Sequence, residues 1–156
     1  MTNLVPPVIS ALTAGILILL QSALVFAAAN QRRLHGPSVG EPTDPNVTRA
    51  IRRHGNLAEN AAIFIACVTL LEMLGGGRLW VEVLCATFVA ARLLHAFGLS
   101  LKNPTNAFRV VGIILTVFVG LALGGRLVLV AAPHLRGWPQ ARMSACSGWR
   151  FSQATA

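Results

Sequence analysis

The chain has 156 residues, of which 54% are hydrophobic and only 12% are charged. An average soluble domain has about 25% charged residues, so the composition excludes disorder for most of the chain and argues against a soluble enzyme. The net charge of +8 does not form one basic patch, as nucleic-acid binding would require; its arginines flank long apolar runs, as in integral membrane proteins.

The first apolar run, from about Pro7 to Ala29, contains no charged side chain. It is long enough to cross the membrane, because about 20 helical residues span the hydrocarbon core. Ala27-Ala28-Ala29 resembles a signal-peptidase site, yet no Lys or Arg precedes the run and the run is longer than a typical h-region. We therefore expect a retained first span, with a cleaved signal peptide as the alternative.

The polar stretch from Asn30 to Thr48 is rich in Gly and Pro and predicts a loop. Within it, Asp44-Pro45 supplies an N-cap followed by Pro at the first helical position. A second helix should therefore run from about Asp44 to Leu74. Its length exceeds what the membrane needs, so its first turns should stand outside the bilayer.

The triplet Gly75-Gly76-Gly77 predicts a tight break before a third helix from about Leu79 to Ser100. A turn at Lys102 to Asn106, with Pro as the stop signal and Thr or Asn as the next cap, leads into a fourth helix from about Ala107 to Ala131. The sequence thus predicts an all-α membrane bundle of four helices at residues 1–132. The tail at residues 133–156 is polar and lacks periodicity, so we expect it to be disordered or interfacial.

The three cysteines, Cys67, Cys85 and Cys146, have no metal-ligand spacing and are an odd number. Cys67 and Cys85 lie in apolar runs, where a free cysteine behaves as a small hydrophobic residue. We therefore expect neither a disulfide framework nor a metal site.

Charged and polar side chains inside the predicted spans are the candidate functional residues, because a charge within the bilayer is costly. One face of the second helix carries Arg49, Arg52, Arg53, Asn56, Glu59 and Asn60. Counting outward from Gly76 places Glu59 level with Arg92, and Asn56 level with His95. We therefore predict an ion pair between Glu59 and Arg92, with a basic mouth of arginines beyond it that Arg109 joins.

The alternative is structural: a polar cluster can hold membrane helices together, and an arginine near a helix end can reach the headgroups. We expect Glu72 and Glu82, which flank the glycine turn, to be solvated helix ends. Arg126 should extend toward the headgroups from the fourth helix.

Three sequence blocks resemble the MAPEG family, the membrane-associated proteins of eicosanoid and glutathione metabolism. The second-helix block from Thr43 to Glu59 contains the family signature of Arg, Asn four residues later and Glu three residues after that. The block from Ala91 to Gly98 is similar to the family's third helix, and Arg109-Val110-Val111-Gly112 with Thr116 is similar to the start of the fourth helix in bacterial members.

The resemblance implies a homotrimer that binds glutathione between subunits near the cytoplasmic face. Its implied ligand-binding residues are Arg52, Asn56, Glu59 and Arg92, and Arg109 is the implied activator of the thiol. The spacing of the polar side chains adds Arg49 and His95 to the candidate ligand-binding residues. The polar stripe of the second helix is wider than one intramolecular seam can satisfy, so we expect that helix at the trimer axis. The implied activity is transfer of glutathione to lipophilic electrophiles, or reduction of peroxides, in a bacterial inner membrane.

The alternative function is a non-catalytic protein of the same fold that binds an anionic lipid or a small thiol. Family synthases hold glutathione with tyrosines, whereas this chain has none. Asn60, His95 and Leu99 lie at or near the corresponding positions. The distribution of Lys and Arg predicts that the first loop is cytoplasmic, although the arginines of the tail oppose this orientation.

Overall fold

The computed structural model describes residues 6–35, 43–101, 103 and 106–136, and within them it contains four helices. These are α1 (Val8–His35), α2 (Pro45–Met73), α3 (Arg78–Gly98) and α4 (Ala107–Arg136). Each is long and apolar enough to cross a membrane. The predicted all-α fold with four membrane-spanning helices is therefore confirmed.

Consecutive helices run in opposite directions, so the bundle has two distinct ends. At the glycine end, which contains the turn Gly75–Gly77, the start of α1 contacts Glu72 and Arg126 of α4 donates to the Gly76 carbonyl at 3.3 Å. At the arginine end, which contains the starts of α2 and α4, Arg53 of α2 donates to Ser100 at 2.7 Å. The arginine end thus holds the ends of α1 and α3 and the starts of α2 and α4.

The apolar core lies along the seam where all four helices meet. Phe64 of α2 stacks on Phe88 of α3 with ring centroids 3.9 Å apart. Leu17 of α1 and Val119 of α4 close the same cluster. Cys85 is buried in it and Cys67 packs against it, which confirms that these two cysteines fill apolar space.

Large apolar side chains also cover the outside of the bundle. Leu19, Phe26 and Leu121 are among the most exposed, and Phe26 is 76% exposed in a single chain. In water such a surface would be unfavourable, whereas in a bilayer it faces hydrocarbon. The protein is therefore an integral, multi-pass membrane protein.

Two predicted boundaries are wrong. Helix α1 continues to His35, because the residues after Ala29 contain no Gly or Pro before Gly36. Helix α4 passes through Pro133 and ends at Arg136. Proline removes one backbone donor and strains a helix interior, but membrane helices tolerate it where other groups satisfy the freed carbonyl. The rest of the expected tail, with Cys146, lies outside the described residues.

Two glycines let α3 and α4 approach each other closely at the arginine end. A Cβ atom on Gly112 would lie 2.8 Å from both the Ala91 carbonyl oxygen and the His95 backbone nitrogen. A Cβ atom on Gly98 would lie 2.5 Å from the Arg109 backbone nitrogen. Both contacts are with backbone, which cannot move aside as a flexible side chain can. Small residues at helix crossings are a general feature of membrane bundles.

We expect Gly112→Ala to lower the free energy of unfolding by about 1–3 kcal/mol, the usual cost of overpacking. Gly125→Ala is the matched control on the same helix, because a Cβ there meets nothing within 4 Å. The control should be neutral or slightly stabilising, since alanine favours the helix. Unfolding in mixed micelles measures both, and equal stability of the two variants would contradict close packing at Gly112.

Candidate functional site

The start of α2 is fixed by its own side chains. The Asp44 carboxylate caps the helix by accepting from the Asn46 backbone N–H at 2.6 Å, and Pro45 occupies the first turn. The Asn46 side chain in turn accepts from the Arg49 guanidinium at 2.8 Å. The cap predicted from Asp44-Pro45 is therefore confirmed, and it orients Arg49 one turn later.

The connection between α3 and α4 is held by Asn106, which the sequence suggested only as a possible cap. Its amide donates to the Gly98 carbonyl at 2.7 Å and to the Asn103 carbonyl at 2.9 Å. Its side-chain oxygen accepts from the Arg109 backbone N–H at 3.0 Å. One side chain thus joins the end of α3 to the first turn of α4 and sets the position of Arg109.

These two helix starts enclose a cavity of about 390 Å³ at the arginine end. We call it the arginine cavity, because Arg49, Arg52 and Arg109 all line it, and none of the described residues that line it is acidic. Leu99 supplies part of its apolar wall. The starts of two helices add partial positive charge to that of the guanidinium groups. The cavity is therefore suited to an anion with carboxylate or phosphate groups.

Asn56 and Glu59 do not line this cavity within one chain. The Asn56 amide donates to the Arg52 carbonyl at 3.1 Å, and the Asn60 amide donates to the Asn56 carbonyl at 2.8 Å. Glu59 is exposed on the outer face of α2, beside the exposed Ile63. Of the six predicted ligand-binding residues, only Arg49 and Arg52 therefore meet at the cavity with Arg109.

Arg92 is buried behind the cavity and links three helices. Its guanidinium donates to the Asn56 carbonyl and the Gly112 carbonyl, each at 3.4 Å, and forms a short hydrogen bond with the Thr116 hydroxyl. It also lies over the Phe88 ring, 5.7 Å from the centroid. The interactions of Arg92 within the described residues are thus with neutral oxygens and an aromatic face.

The predicted ion pair between Glu59 and Arg92 is absent from the described residues of a single chain. Counting from the glycine turn gave the depth correctly, because Arg92 does contact Asn56, one helical turn from Glu59. It did not give the direction, since Glu59 is exposed on a single chain whereas Arg92 is buried. Depth follows from helix rise alone, whereas direction also depends on how each helix is rotated about its axis.

His95 lies one turn from Arg92 and is 4% exposed. Neither of its ring nitrogens has a hydrogen-bond partner of good geometry among the described residues. The backbone of Arg109 lies near the ring. His95 therefore belongs to the wall between α3 and α4, and it does not line the arginine cavity.

We expect Arg92→Ala to lower the free energy of unfolding by about 3 kcal/mol, because buried hydrogen bonds from a charged donor to two other helices are lost. Glu59→Gln should change it little, since Glu59 is exposed and unpaired with Arg92 in one chain. Denaturation in detergent compares the two. Similar losses of stability in both variants would indicate that Glu59 and Arg92 do form an ion pair, with Glu59 contributed by a neighbouring subunit.

Glu72 was expected to be a solvated helix end, and this prediction is wrong. It is 8% exposed, and its carboxylate accepts from the Ile9 and Ser10 backbone N–H groups at 3.0 and 2.8 Å. The Ser10 hydroxyl donates to it at 2.5 Å. Glu72 thus caps the start of α1 from a different helix.

The two other charges predicted at the glycine end have different surroundings. Glu82 is partly exposed and pairs with Arg78 at 2.7 Å, in keeping with a helix end near solvent. Arg126 turns inward, because it donates to the Gly76 carbonyl and lies over the Trp80 ring. It therefore fastens α4 to the glycine turn rather than only extending toward the headgroups.

A comparison with protein-family models decides the family. The model described as MAPEG family matches residues 10–129 of the chain. The chain belongs to the MAPEG family. The match covers all four membrane-spanning helices and every candidate site residue, and the resemblance drawn from the three sequence blocks is confirmed. A comparison with curated proteins finds no match.

Membership in the MAPEG family indicates, at the family level, a membrane protein that is glutathione-transferase-like or related. The site residues that sequence reasoning missed are those that position the arginines. Asn46 orients Arg49, and Ser100 holds Arg53. Their only signal in the sequence was their place at helix ends, where short polar side chains are common in any protein.

Proposed function

We propose that this MAPEG protein is a membrane-bound, glutathione-transferase-like enzyme that uses glutathione against lipophilic electrophiles or peroxides. The single observation that carries the proposal is the arginine cavity, in which Arg49, Arg52 and Arg109 converge without an acidic side chain among the described lining residues. Glutathione at neutral pH carries two carboxylates and one ammonium group. Arginine is suited to such a ligand because its planar fork binds a carboxylate through two hydrogen bonds.

In this proposal Arg49 and Arg52 hold the carboxylates, and Arg109 lies near the sulfur. A positive charge beside a thiol favours the thiolate, which is the nucleophilic form. The thiolate sulfur then attacks the electrophilic carbon. As the carbon–sulfur bond forms, the electron pair either departs with a displaced leaving group or moves into a conjugated double bond that takes a proton from water. Asn56, Glu59, Arg92 and His95 complete the proposed binding network through the adjoining helix faces and a neighbouring subunit.

The surroundings of Arg109 support a lipophilic second substrate. Phe108 precedes it on α4 and packs edge-to-face against Phe97 of α3, with centroids 5.2 Å apart. Both rings are about half exposed on the outside of the bundle. An apolar molecule dissolved in the bilayer can reach this aromatic pair without entering water, so it can approach the arginine end from the side.

The second candidate is a non-catalytic protein that binds an anionic lipid or a small thiol in the same cavity. It is favoured by Leu99, which gives the cavity an apolar wall near the position where family synthases place a tyrosine. A leucine cannot donate a hydrogen bond to the ligand. Binding then rests mainly on the arginines, without a tyrosine hydroxyl to fix the sulfur.

The test is binding of glutathione to the purified protein in detergent, which is measured by thermal stability and by ultraviolet absorbance. Thermal stability should rise with glutathione and with S-methylglutathione, because both carry the carboxylates. Ultraviolet absorbance should show thiolate only with glutathione, at a pH where free glutathione is mainly thiol. Stabilisation without the thiolate signal would assign the cavity to the second candidate, and no stabilisation would reject both roles for glutathione.

We further propose a homotrimer with α2 at its axis, in a bacterial inner membrane with the first loop cytoplasmic. An outward stripe on α2 supports this assembly, because Glu59 and Ile63 are both exposed on one chain. A carboxylate facing lipid is costly, whereas a neighbouring subunit can supply polar partners.

Native mass spectrometry or cross-linking in a mild detergent should therefore give a trimer. Glu59→Leu should weaken assembly, while Glu82→Leu at the glycine end serves as the matched control. A monomer of the wild-type protein under these conditions would contradict the assembly.

A further inference from the structure

A second polar cavity lies at the arginine end, next to the arginine cavity. Its volume is about 300 Å³, and it is bounded by α1, α2 and the end of α3. We call it the Arg53 cavity, because Arg53 lines it and does not line the arginine cavity. Arg52, the next residue to it in the chain, lines only the arginine cavity.

The Arg53 guanidinium is held in a fixed position. Its Nη1 donates to the Ser100 hydroxyl at 2.7 Å, and that hydroxyl itself donates to the Ala96 carbonyl at 3.0 Å. Its Nε is buried and has no hydrogen-bond partner among the described residues. The guanidinium is therefore fixed in place, and its Nε–H donor is left unpaired. A ligand with an acceptor atom would satisfy this donor.

The neighbours of Arg53 are also cationic or polar. Arg49 is close enough to repel it electrostatically and is itself held by Asn46. His35, in the basic last turn of α1, lines the same cavity. Neither Arg49 nor Arg53 forms an ion pair with an acidic side chain in the part of the chain that the structure describes. Two like charges side by side in a partly buried place are unfavourable unless an anion lies between them.

We propose that the Arg53 cavity binds a phosphate group beside the proposed glutathione site, with which it shares Arg49 and Leu99 as lining residues. Arginine forks match phosphate oxygens through paired hydrogen bonds. The cavity opens where α1 ends and α2 begins, at the basic end of the bundle, where a membrane-spanning bundle meets the phospholipid headgroups. Basic pockets between membrane helices on the cytoplasmic side are typical sites for anionic lipid headgroups. Free phosphate has the same chemistry and is the other source.

The experiment measures thermal unfolding of the full chain in a non-ionic detergent against added phosphatidylglycerol, phosphatidylcholine or inorganic phosphate. Four proteins are compared: wild type, Arg53→Gln, Arg52→Gln and Ser100→Ala. Phosphatidylglycerol should stabilise the wild type and Arg52→Gln at the same concentration. Arg53→Gln should need about tenfold more lipid, because it loses a charge-assisted pair of hydrogen bonds. Ser100→Ala should need an intermediate amount, since the guanidinium keeps its charge but loses its support.

The lipid and phosphate arms distinguish the two sources. Stabilisation by phosphatidylglycerol that depends on Arg53 and exceeds that of phosphatidylcholine identifies a lipid headgroup. The same dependence with inorganic phosphate alone identifies free phosphate, and either result supports the proposal. If Arg53→Gln does not fold, Arg53→Lys replaces it in the same comparison, because it keeps the charge and loses the fork.

Three results would overturn the proposal. An unchanged lipid response in Arg53→Gln would reduce Arg53 to a link between α2 and α3. An equal loss in Arg52→Gln would move the anion to the arginine cavity. No response in the wild type to any of the three additives would leave the cavity without a phosphate. Glutathione binding should be unaffected in Arg53→Gln, so a failure here is separate from a failure of the proposed enzyme function.

Discussion

Arg109→Ala should reduce turnover of glutathione by about a hundredfold or more while leaving its binding largely intact, if Arg109 stabilises negative charge developing at sulfur. Arg52→Ala should instead lose binding, because Arg52 pairs with a carboxylate that is already charged in the ground state. Only an interaction that strengthens in the transition state lowers the barrier to the chemical step. The two arginines line one cavity, so the pair is a matched comparison of position.

The measurement is steady-state kinetics with an electrophilic aromatic substrate, together with glutathione affinity from thermal stability. Arg109→Lys should recover part of the rate, because the charge is kept and the planar fork is lost. An equal loss of affinity in both alanine variants would assign Arg109 to ligand holding. Full turnover in Arg109→Ala would remove it from the mechanism and favour the non-catalytic candidate.

The position of Arg109 shows which features of the site could be predicted from the sequence and which could not. Its place in the first turn of α4 followed from the preceding Pro and Asn signals, and the structure begins α4 at Ala107 as expected. Its proximity to Arg52 did not follow from periodicity, because it depends on two long-range features. Asn106 ties α4 to the Gly98 carbonyl, and Gly112 permits the close crossing with α3.

The helices themselves were readable because hydrophobic length is a strong signal in membrane proteins. The predicted starts and ends of α2 and α3 lie close to the observed ones, because Asp44-Pro45 and the three glycines have strong local conformational preferences. The end of α1 was harder, since a polar sequence such as Asn30 to His35 is compatible with both loop and helix. Polarity alone does not end a helix once it is long.

The expected exposures of Glu59 and Glu72 differ from the observed ones in opposite directions, and one cause explains both differences. Glu59 was expected inside and is exposed on one chain, whereas Glu72 was expected outside and is buried. The sequence gives the spacing of a residue along its helix but not the partner helix that covers it. Ser10, which holds Glu72, lies 62 positions away along the chain. Such a contact has no local signature in a single sequence.

Glu72→Ala should cause the largest loss of stability among the glycine-end variants, about 3–5 kcal/mol. Helix α1 has no acidic residue in its own first turn, and its first N–H groups, at Ile9 and Ser10, rely on Glu72. Removing the carboxylate leaves the Ile9 and Ser10 N–H groups and the Ser10 hydroxyl without this acceptor. Each hydrogen bond to a charged group contributes about 1.5–3 kcal/mol, and the helix dipole adds to the attraction.

Two variants separate the charge of Glu72 from its shape. Glu72→Gln keeps one acceptor oxygen but turns an amide donor toward N–H groups, so it should lose at least half of the stabilisation. Glu82→Ala is the control, because Glu82 is also at the glycine end but pairs with the exposed Arg78. Its effect should be far smaller, as for most exposed ion pairs.

Hydrogen exchange at Ile9 and Ser10 provides a local measurement beside global unfolding. In Glu72→Ala these amides should exchange much faster, while amides in the middle of α1 change less, because fraying begins at the uncapped end. In Glu82→Ala they should keep their wild-type protection. Unchanged exchange at Ile9 and Ser10 in Glu72→Ala would mean that water or lipid headgroups satisfy the start of α1. The contact between α1 and α2 would then rest on apolar packing alone, without the cross-helix cap.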